Sequence, residues 1–251
     1  MHLKLNKALI SIAMALTMFP MSAYAQDFKL ENAYKLEQRA NYIKELNELA
    51  SSSDSSLGLV DKSIDPNELL AFSTYRYWLG GKFGRTTWYS GSRYGNNFNV
   101  VMREPDKAKI SCQEHLEAEE KLAELISDCT TDLAGVQHLF SKLTLNYGYS
   151  AEGDSPYALL YGGNGSCHAF SKTFARCLDS MGIECYYVLG HTSVGGFHAW
   201  NAFVIDDKIY TADLSEAAVS KNILGQDSIW NSFKEDSSMT LGDGRTIDSI
   251  Y

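Results

Sequence analysis

Three residues of the sequence could together perform nucleophilic chemistry at a carbonyl carbon. Cys167 ends the glycine-rich run Gly162-Gly163-Asn164-Gly165-Ser166-Cys167. Downstream, Phe170, Phe174, Cys177 and Met181 recur at helical spacing, and Gly182 stands where a left-handed C-terminal cap belongs. The spacing predicts Cys167 in the first turn of a buried helix, where unsatisfied amides and the helix dipole favour an anion. A thiol so placed beside a base ionises readily and becomes a nucleophile. Taken alone, the pattern suits a buried structural cysteine equally well.

The base and its orienting acid are read from the next segment. His198-Ala199-Trp200-Asn201-Ala202-Phe203-Val204-Ile205 alternates and is rich in strand formers, Asp206-Asp207 interrupts it, and Lys208-Ile209-Tyr210-Thr211-Ala212-Asp213 follows. This predicts a hairpin with a two-residue loop. If Ile205 pairs with Lys208, Trp200 falls opposite Asp213, and His198 lies two residues from Trp200 on the same face. His198 and Asp213 then become diagonal neighbours with backbones about 7–8 Å apart. A carboxylate there can hold one imidazole nitrogen while the other faces the thiol of Cys167. A slip of one residue would turn Asp213 to the other face.

Other polar residues near this segment have plainer readings. His168 follows Cys167 but projects about 100° away around the helix, which makes it a poor base for that thiol. His191 sits in the glycine-flanked stretch Gly190 to Gly196 and receives no role. Trp200 shares the face of His198 and suits either shielding or core packing. Cys167, His168, Cys177, Cys185, His191 and His198 lie close in sequence, yet no metal-binding spacing organises them, so no metal and no cofactor are expected. Cys177 and Cys185 could bridge a helix to a strand. Cys112 and Cys129 flank a helix whose ends lie about 25 Å apart if straight, too far for a disulfide.

The elements that must position these residues begin well upstream. Lys4 and Lys7, the uncharged apolar stretch Ala8 to Phe19, and Ala23-Tyr24-Ala25 compose an export signal over residues 1–25. A periplasmic or secreted location is therefore expected. Removing that segment takes two lysines and no acid, so the formal charge moves from −9 to −11. Such an acidic chain makes nucleic acid and membrane surfaces poor partners. Five cysteines in an exported chain leave at least one outside any internal pair.

Residues 26–110 read as an extension. It comprises an amphipathic helix over 32–50, a serine-rich linker over 51–56, a helix announced by Asp65-Pro66-Asn67-Glu68, and strands joined by turns between Lys82 and Met102. Trp88, Tyr89 and Tyr94 in this stretch suit packing or a recognition surface. Residues 111–251 read as the core and its C-terminal tail. Two helices are predicted there, Gln113 to Ser127 with Leu116, Leu122, Leu125 and Ile126 inward, and Asp132 to Leu145 with Val136, Leu139, Phe140 and Leu143 inward. A polar loop is predicted from Gly148 to Gly165, and a strand from Glu184 to Leu189.

Gly165-Ser166-Cys167 with Phe170, Leu178 through Ile183, Gly190, His198-Ala199-Trp200-Asn201 and Tyr210 through Asp213 resembles the transglutaminase-like superfamily. The resemblance runs over roughly Gln113 to Ser215. It implies an α+β fold of papain-like architecture, with the nucleophile helix packed on an antiparallel sheet and the N-terminal extension ahead of it. It also implies a catalytic triad of Cys167, His198 and Asp213, with an oxyanion hole built partly from the Cys167 backbone N–H and Tyr161 as a candidate second donor. The implied activity is attack on amide bonds of a peptide or protein through a thioester, as a protease, deamidase or transglutaminase. A non-catalytic binding module of the same fold is the alternative. Leu214-Ser215-Glu216 stands where the family usually has a Pro- or Thr-containing turn, which leaves subfamily and substrate open.

Overall fold

The computed structural model describes residues 105–250, together with 56–59, 79–80, 89–94 and 97–102. The expected export signal, the helices over 32–50 and from Asp65, most of the serine linker, and Trp88 lie outside the described residues. In the extension, β1 (Ser56–Leu59), β2 (Tyr89–Tyr94) and β3 (Asn97–Met102) form an antiparallel sheet in the order β1-β3-β2. β2 and β3 fall within the stretch predicted as strands joined by turns. β1 trims the linker reading by its last residue, because Ser56 already pairs with Val101. Backbone pairing there overrides a serine-rich composition.

The core begins with α1 (Pro105–Ile126), which starts ahead of both the predicted helix and the boundary at residue 111. Pro105 is its first residue, where a missing N–H costs nothing and the fixed φ suits a helix. Its inward face also differs from expectation. His115, Ala118 and Leu122 are buried, whereas Leu116 is 52% exposed. His115 is admitted because its Nδ1 accepts from the Leu79 backbone N–H, and burial lowers its pKa to about 4, so it stays neutral.

α2 (Leu133–Asn146) follows, capped by the Asp132 carboxylate on the Gly135 N–H, with Val136, Leu139, Phe140 and Leu143 buried as predicted. The predicted loop over 148–165 is mostly ordered structure. β4 (Gly148–Tyr149) pairs in parallel with β5 (Asn164–Gly165), and α3 (Pro156–Gly162) lies between them. Ser155 caps α3 from its N-cap position, Pro156 opens it, and Gly163 closes it at φ 77°. That serine–proline start was a helix signal in the sequence, outweighed there by the surrounding glycines.

α4 (Cys167–Ser180) is the centre of the molecule, and Gly182 at φ 74° ends it as expected. Ten of its fourteen residues are buried, so it is wrapped on several sides rather than along one stripe. β6 (Cys185–His191) and β7 (Phe197–Ile205) pack on it, as do α1, α3 and α5 (Leu214–Leu224). The main sheet is antiparallel with the order β10-β6-β7-β8-β9, where β8 is Lys208–Ala212, β9 Phe233–Glu235 and β10 Thr246–Ile250. A 3₁₀ segment, Gln226–Ser232, joins α5 to β9. Phe140 packs edge-on against Phe174 at 6.4 Å and Phe233 at 5.1 Å, which ties α2, α4 and the sheet into one core. Edge-to-face rings of this kind add about 0.5–1.5 kcal/mol each beyond the area they bury. Among the described residues, no helix is long and apolar enough to cross a membrane.

Candidate active site

The β7–β8 hairpin has the predicted register. Ile205 pairs with Lys208 and Asn201 with Ala212. Asp206 and Asp207 occupy the turn at φ 50° and 60°, the left-handed pair that a two-residue hairpin loop requires. Asp213 follows β8 directly, and its carboxylate reaches His198, with Nε2 of the imidazole donating to Oδ2 at 2.6 Å. Cys167 lies near enough to His198 to help raise its pKa. With Nε2 on the carboxylate, Nδ1 is the nitrogen left for the sulfur. Cys167, His198 and Asp213 are thus brought together from the start of α4, the start of β7 and the head of α5.

The electrostatics of the trio are strongly coupled. Burial works to lower the His198 pKa, but the Asp213 charge and hydrogen bond, with smaller contributions from Cys167, raise it to about 10. Burial likewise works to raise the Asp213 pKa, and His198 and Arg245 outweigh it, holding the carboxyl far below its ordinary range. Both shifts favour an imidazolium on a carboxylate. Asp213 Oδ1 meanwhile accepts from the Ser215 hydroxyl and caps α5 through the Glu216 N–H at 2.9 Å. The acid is therefore fixed by four donors on two oxygens.

Ser166 occupies the N-cap of α4, yet its hydroxyl donates to Asp154 at 2.5 Å and does not cap the helix. Its backbone N–H donates to the Gly153 carbonyl, so the residues before Cys167 are strapped to the stretch that precedes α3. Lys172, buried on α4, faces the charge of Asp154, and burial lowers its pKa to about 8. Gly165 is required by space: a Cβ there would lie 2.7 Å from that of Ala169. Tyr149 is half exposed, and its phenol is pushed up by burial and by the charges of Cys167 and Asp213, so it faces the trio.

The secondary candidates resolve as follows. The His168 Nδ1 is engaged by the buried Tyr187 hydroxyl, and its ring stacks on Tyr187 and meets Phe197 at a tilt. His191 ends β6 and pairs with Asp248 at 2.9 Å. Trp200 is fully buried, stacks on His198 at 6.2 Å and donates its indole N–H to the Met239 carbonyl, so it packs and borders His198 at once. The Tyr161 hydroxyl donates to the Glu117 carbonyl on α1 and is committed there. None of Cys129, Cys167, Cys177 and Cys185 is in a disulfide, so the suggested Cys177–Cys185 bridge is not formed. Among the described residues, one group could ligate a metal, Asp128, Cys129 and His138, but the Lys142 ammonium already sits 2.6 Å from the Asp128 carboxylate.

Sequence reasoning missed Arg245. It lies in the tail before β10 and is almost fully buried, with Nη1 on Asp213 Oδ2 at 2.8 Å and Nη2 on Glu216 and Asp243. Its guanidinium lies 5.2 Å from the centroid of a Trp200 ring. The signal in the sequence was faint: an arginine among turn residues, Leu241-Gly242-Asp243-Gly244-Arg245.

The described residues form a mixed helix and antiparallel-sheet fold that brings together a cysteine at the start of a central helix, a histidine on the sheet and an aspartate beside it. Residues 120–213 match the model of the transglutaminase-like superfamily. A solved structure described as a TGase is 16% identical at a TM-score of 0.37, covering 65% of this chain and 52% of its own. A second, described as a "putative cysteine protease" from Cytophaga hutchinsonii, is 13% identical at 0.35, covering 56% of this chain and 48% of its own. The chain thus spans about half the length of each. None of the curated proteins matches the sequence.

Proposed function

We propose that the protein is an exported cysteine enzyme that acts on amide bonds of a peptide or protein, with Cys167 as nucleophile, His198 as base and Asp213 as the residue that orients the base. The observation that carries this reading is the His198 imidazole held on the Asp213 carboxylate, with Nε2 on Oδ2 at 2.6 Å and Cys167 near enough to help raise its pKa. The thiol proton passes to Nδ1 and the sulfur attacks the carbonyl carbon. The Cys167 backbone N–H, at the positive end of α4, faces the oxygen that becomes negative. Collapse of the tetrahedral intermediate breaks the C–N bond, and Nδ1 returns its proton to the departing amine. The thioester is then resolved by water, or by an acceptor amine, with His198 taking the proton of the incoming group. Water yields proteolysis or deamidation and an amine yields a cross-link. Hydrolysis is the default at a wet extracytoplasmic site.

The export signal over residues 1–25 and the acidic charge support a periplasmic or secreted enzyme with protein substrates rather than nucleic acid or membrane partners. Mass spectrometry of envelope and supernatant proteins incubated with the enzyme, against a Cys167→Ala control, tests the reading. Loss of ammonia, backbone cleavage or amine addition identifies the reaction. Identical product spectra with the enzyme and the Cys167→Ala control would instead favour a binding module of this fold.

A further inference from the structure

The Asp213 carboxylate serves two cations at one oxygen. His198 Nε2 lies 2.6 Å and Arg245 Nη1 2.8 Å from the same Oδ2. The guanidinium is a second positive charge on that oxygen, and a like charge beside the imidazolium disfavours its protonated form. Arg245 is also fixed from every other side. Asp243 takes its Nε and Nη2, Glu216 takes Nη2 as well, and Trp200, which stacks on His198, lies under the guanidinium. A buried arginine with three carboxylates keeps its charge and its fork orientation throughout a reaction.

We propose that Arg245 is a positioning residue for the base, which shares the Asp213 carboxylate with His198 and so weakens that carboxylate's stabilisation of the imidazolium. The inference rests on the proposed function. In the step it serves, the proton on Nδ1 of His198 must pass to the departing amine nitrogen. An imidazolium clamped by an undivided carboxylate would release it slowly. The C-terminal tail thereby takes part in tuning a site assembled from α4, β7 and α5.

Among the described residues, the charged and titratable groups around His198 are few. α4 contributes Cys167, the head of α5 contributes Asp213, and the tail contributes Arg245. Glu216 and Asp243 act through Arg245, and Tyr149 faces Cys167 and Asp213. β6 places only Gly190 opposite His198.

The test is the titration of the His198 ring by nitrogen-15 NMR in a Cys167→Ser background, where no thiol couples to it, with and without Arg245→Gln. Arg245→Gln should move the titration upward by about one pH unit, the size expected for removing a nearby like charge. Arg245→Lys, which keeps the charge, should restore most of the original value. Glu216 is half exposed, so Glu216→Gln leaves the fold intact and should move the titration downward, because Arg245 is then less neutralised. In the enzyme with Cys167 present, the alkaline limb of the pH–rate profile should follow the same directions. If Arg245→Gln folds and lowers the rate at every pH without moving the His198 titration, Arg245 is merely structural and the proposal fails. If Arg245→Gln does not fold, Glu216→Gln decides, and an unmoved titration overturns the proposal. Because the titration needs no turnover, failure of the enzymatic reading would show separately, as an inactive enzyme with a titration that still responds to Arg245.

Discussion

Replacing Asp213 with asparagine isolates the charge of the orienting residue. Asparagine keeps the shape and is as good an N-cap as aspartate, so the bond to the Glu216 N–H and with it α5 should survive. Arg245 retains Asp243 and Glu216. What is lost is the anion that contributes most to raising His198 to about 10. An opposite charge at hydrogen-bond distance is worth about 1–3 pH units. Each unit is about 1.4 kcal/mol, or tenfold in the balance between the thiolate–imidazolium pair and the neutral pair. Alkylation of Cys167 by a haloacetamide at mildly acidic pH should therefore slow by about tenfold or more. Turnover should fall further, by about 10² to 10⁴, because the base also loses its orientation. Peptide mapping of the alkylated protein across pH 5 to 9 measures the first effect, and circular dichroism confirms the fold. Asp207→Asn is the control, since Asp207 sits at the hairpin tip at φ 60°, a conformation asparagine accepts. A folded Asp213→Asn protein with the wild-type alkylation profile would mean that Asp213 does not govern the imidazole.

Cys167 should be the first thiol labelled in the native protein, because Cys177 is fully buried with its thiol pushed far up by desolvation, and Cys129 is pushed up as well; preferential labelling elsewhere on peptide mapping would refute this. The raised pKa of His198 also makes stability depend on pH. Its contribution is fully present below the unfolded value near 6.5 and is lost as pH rises through about 10. Melting temperatures measured from pH 6 to 10 should fall more steeply for the wild type than for Asp213→Asn, and parallel curves would contradict it. Gly190→Ala would set a Cβ 1.8 Å from the Thr246 carbonyl oxygen and 2.8 Å from the Trp200 ring. It should cost about 1–3 kcal/mol in denaturant unfolding and impair turnover by displacing the strand that follows Arg245; a neutral substitution would show that β10 is not seated there.

The sequence alone determined the parts of this protein that depend on neighbours in the chain. The helix from Cys167 to Gly182 is local, because its apolar spacing and its left-handed glycine lie within sixteen residues. The β7–β8 hairpin is local too, since two aspartates with positive φ fix the loop and the loop fixes which residue faces which. From that register the approach of Asp213 to His198 followed. Even the N-terminus of α3 was written in Ser155-Pro156, though glycine and serine around it hid the signal. Tertiary structure decided what local pattern cannot encode. Leu116 is exposed and His115 buried because Leu79, thirty-six residues away, offers a backbone N–H that the imidazole accepts. Ser56 to Leu59 became a strand because β3 offered an edge to pair with. Arg245 reached Asp213 because the tail returns to pair β10 with β6, placing a charge thirty-two residues distant on the same oxygen as the base. Periodicity and turn chemistry act over a few residues, whereas the sharing of one buried carboxylate is settled only when the chain closes around it.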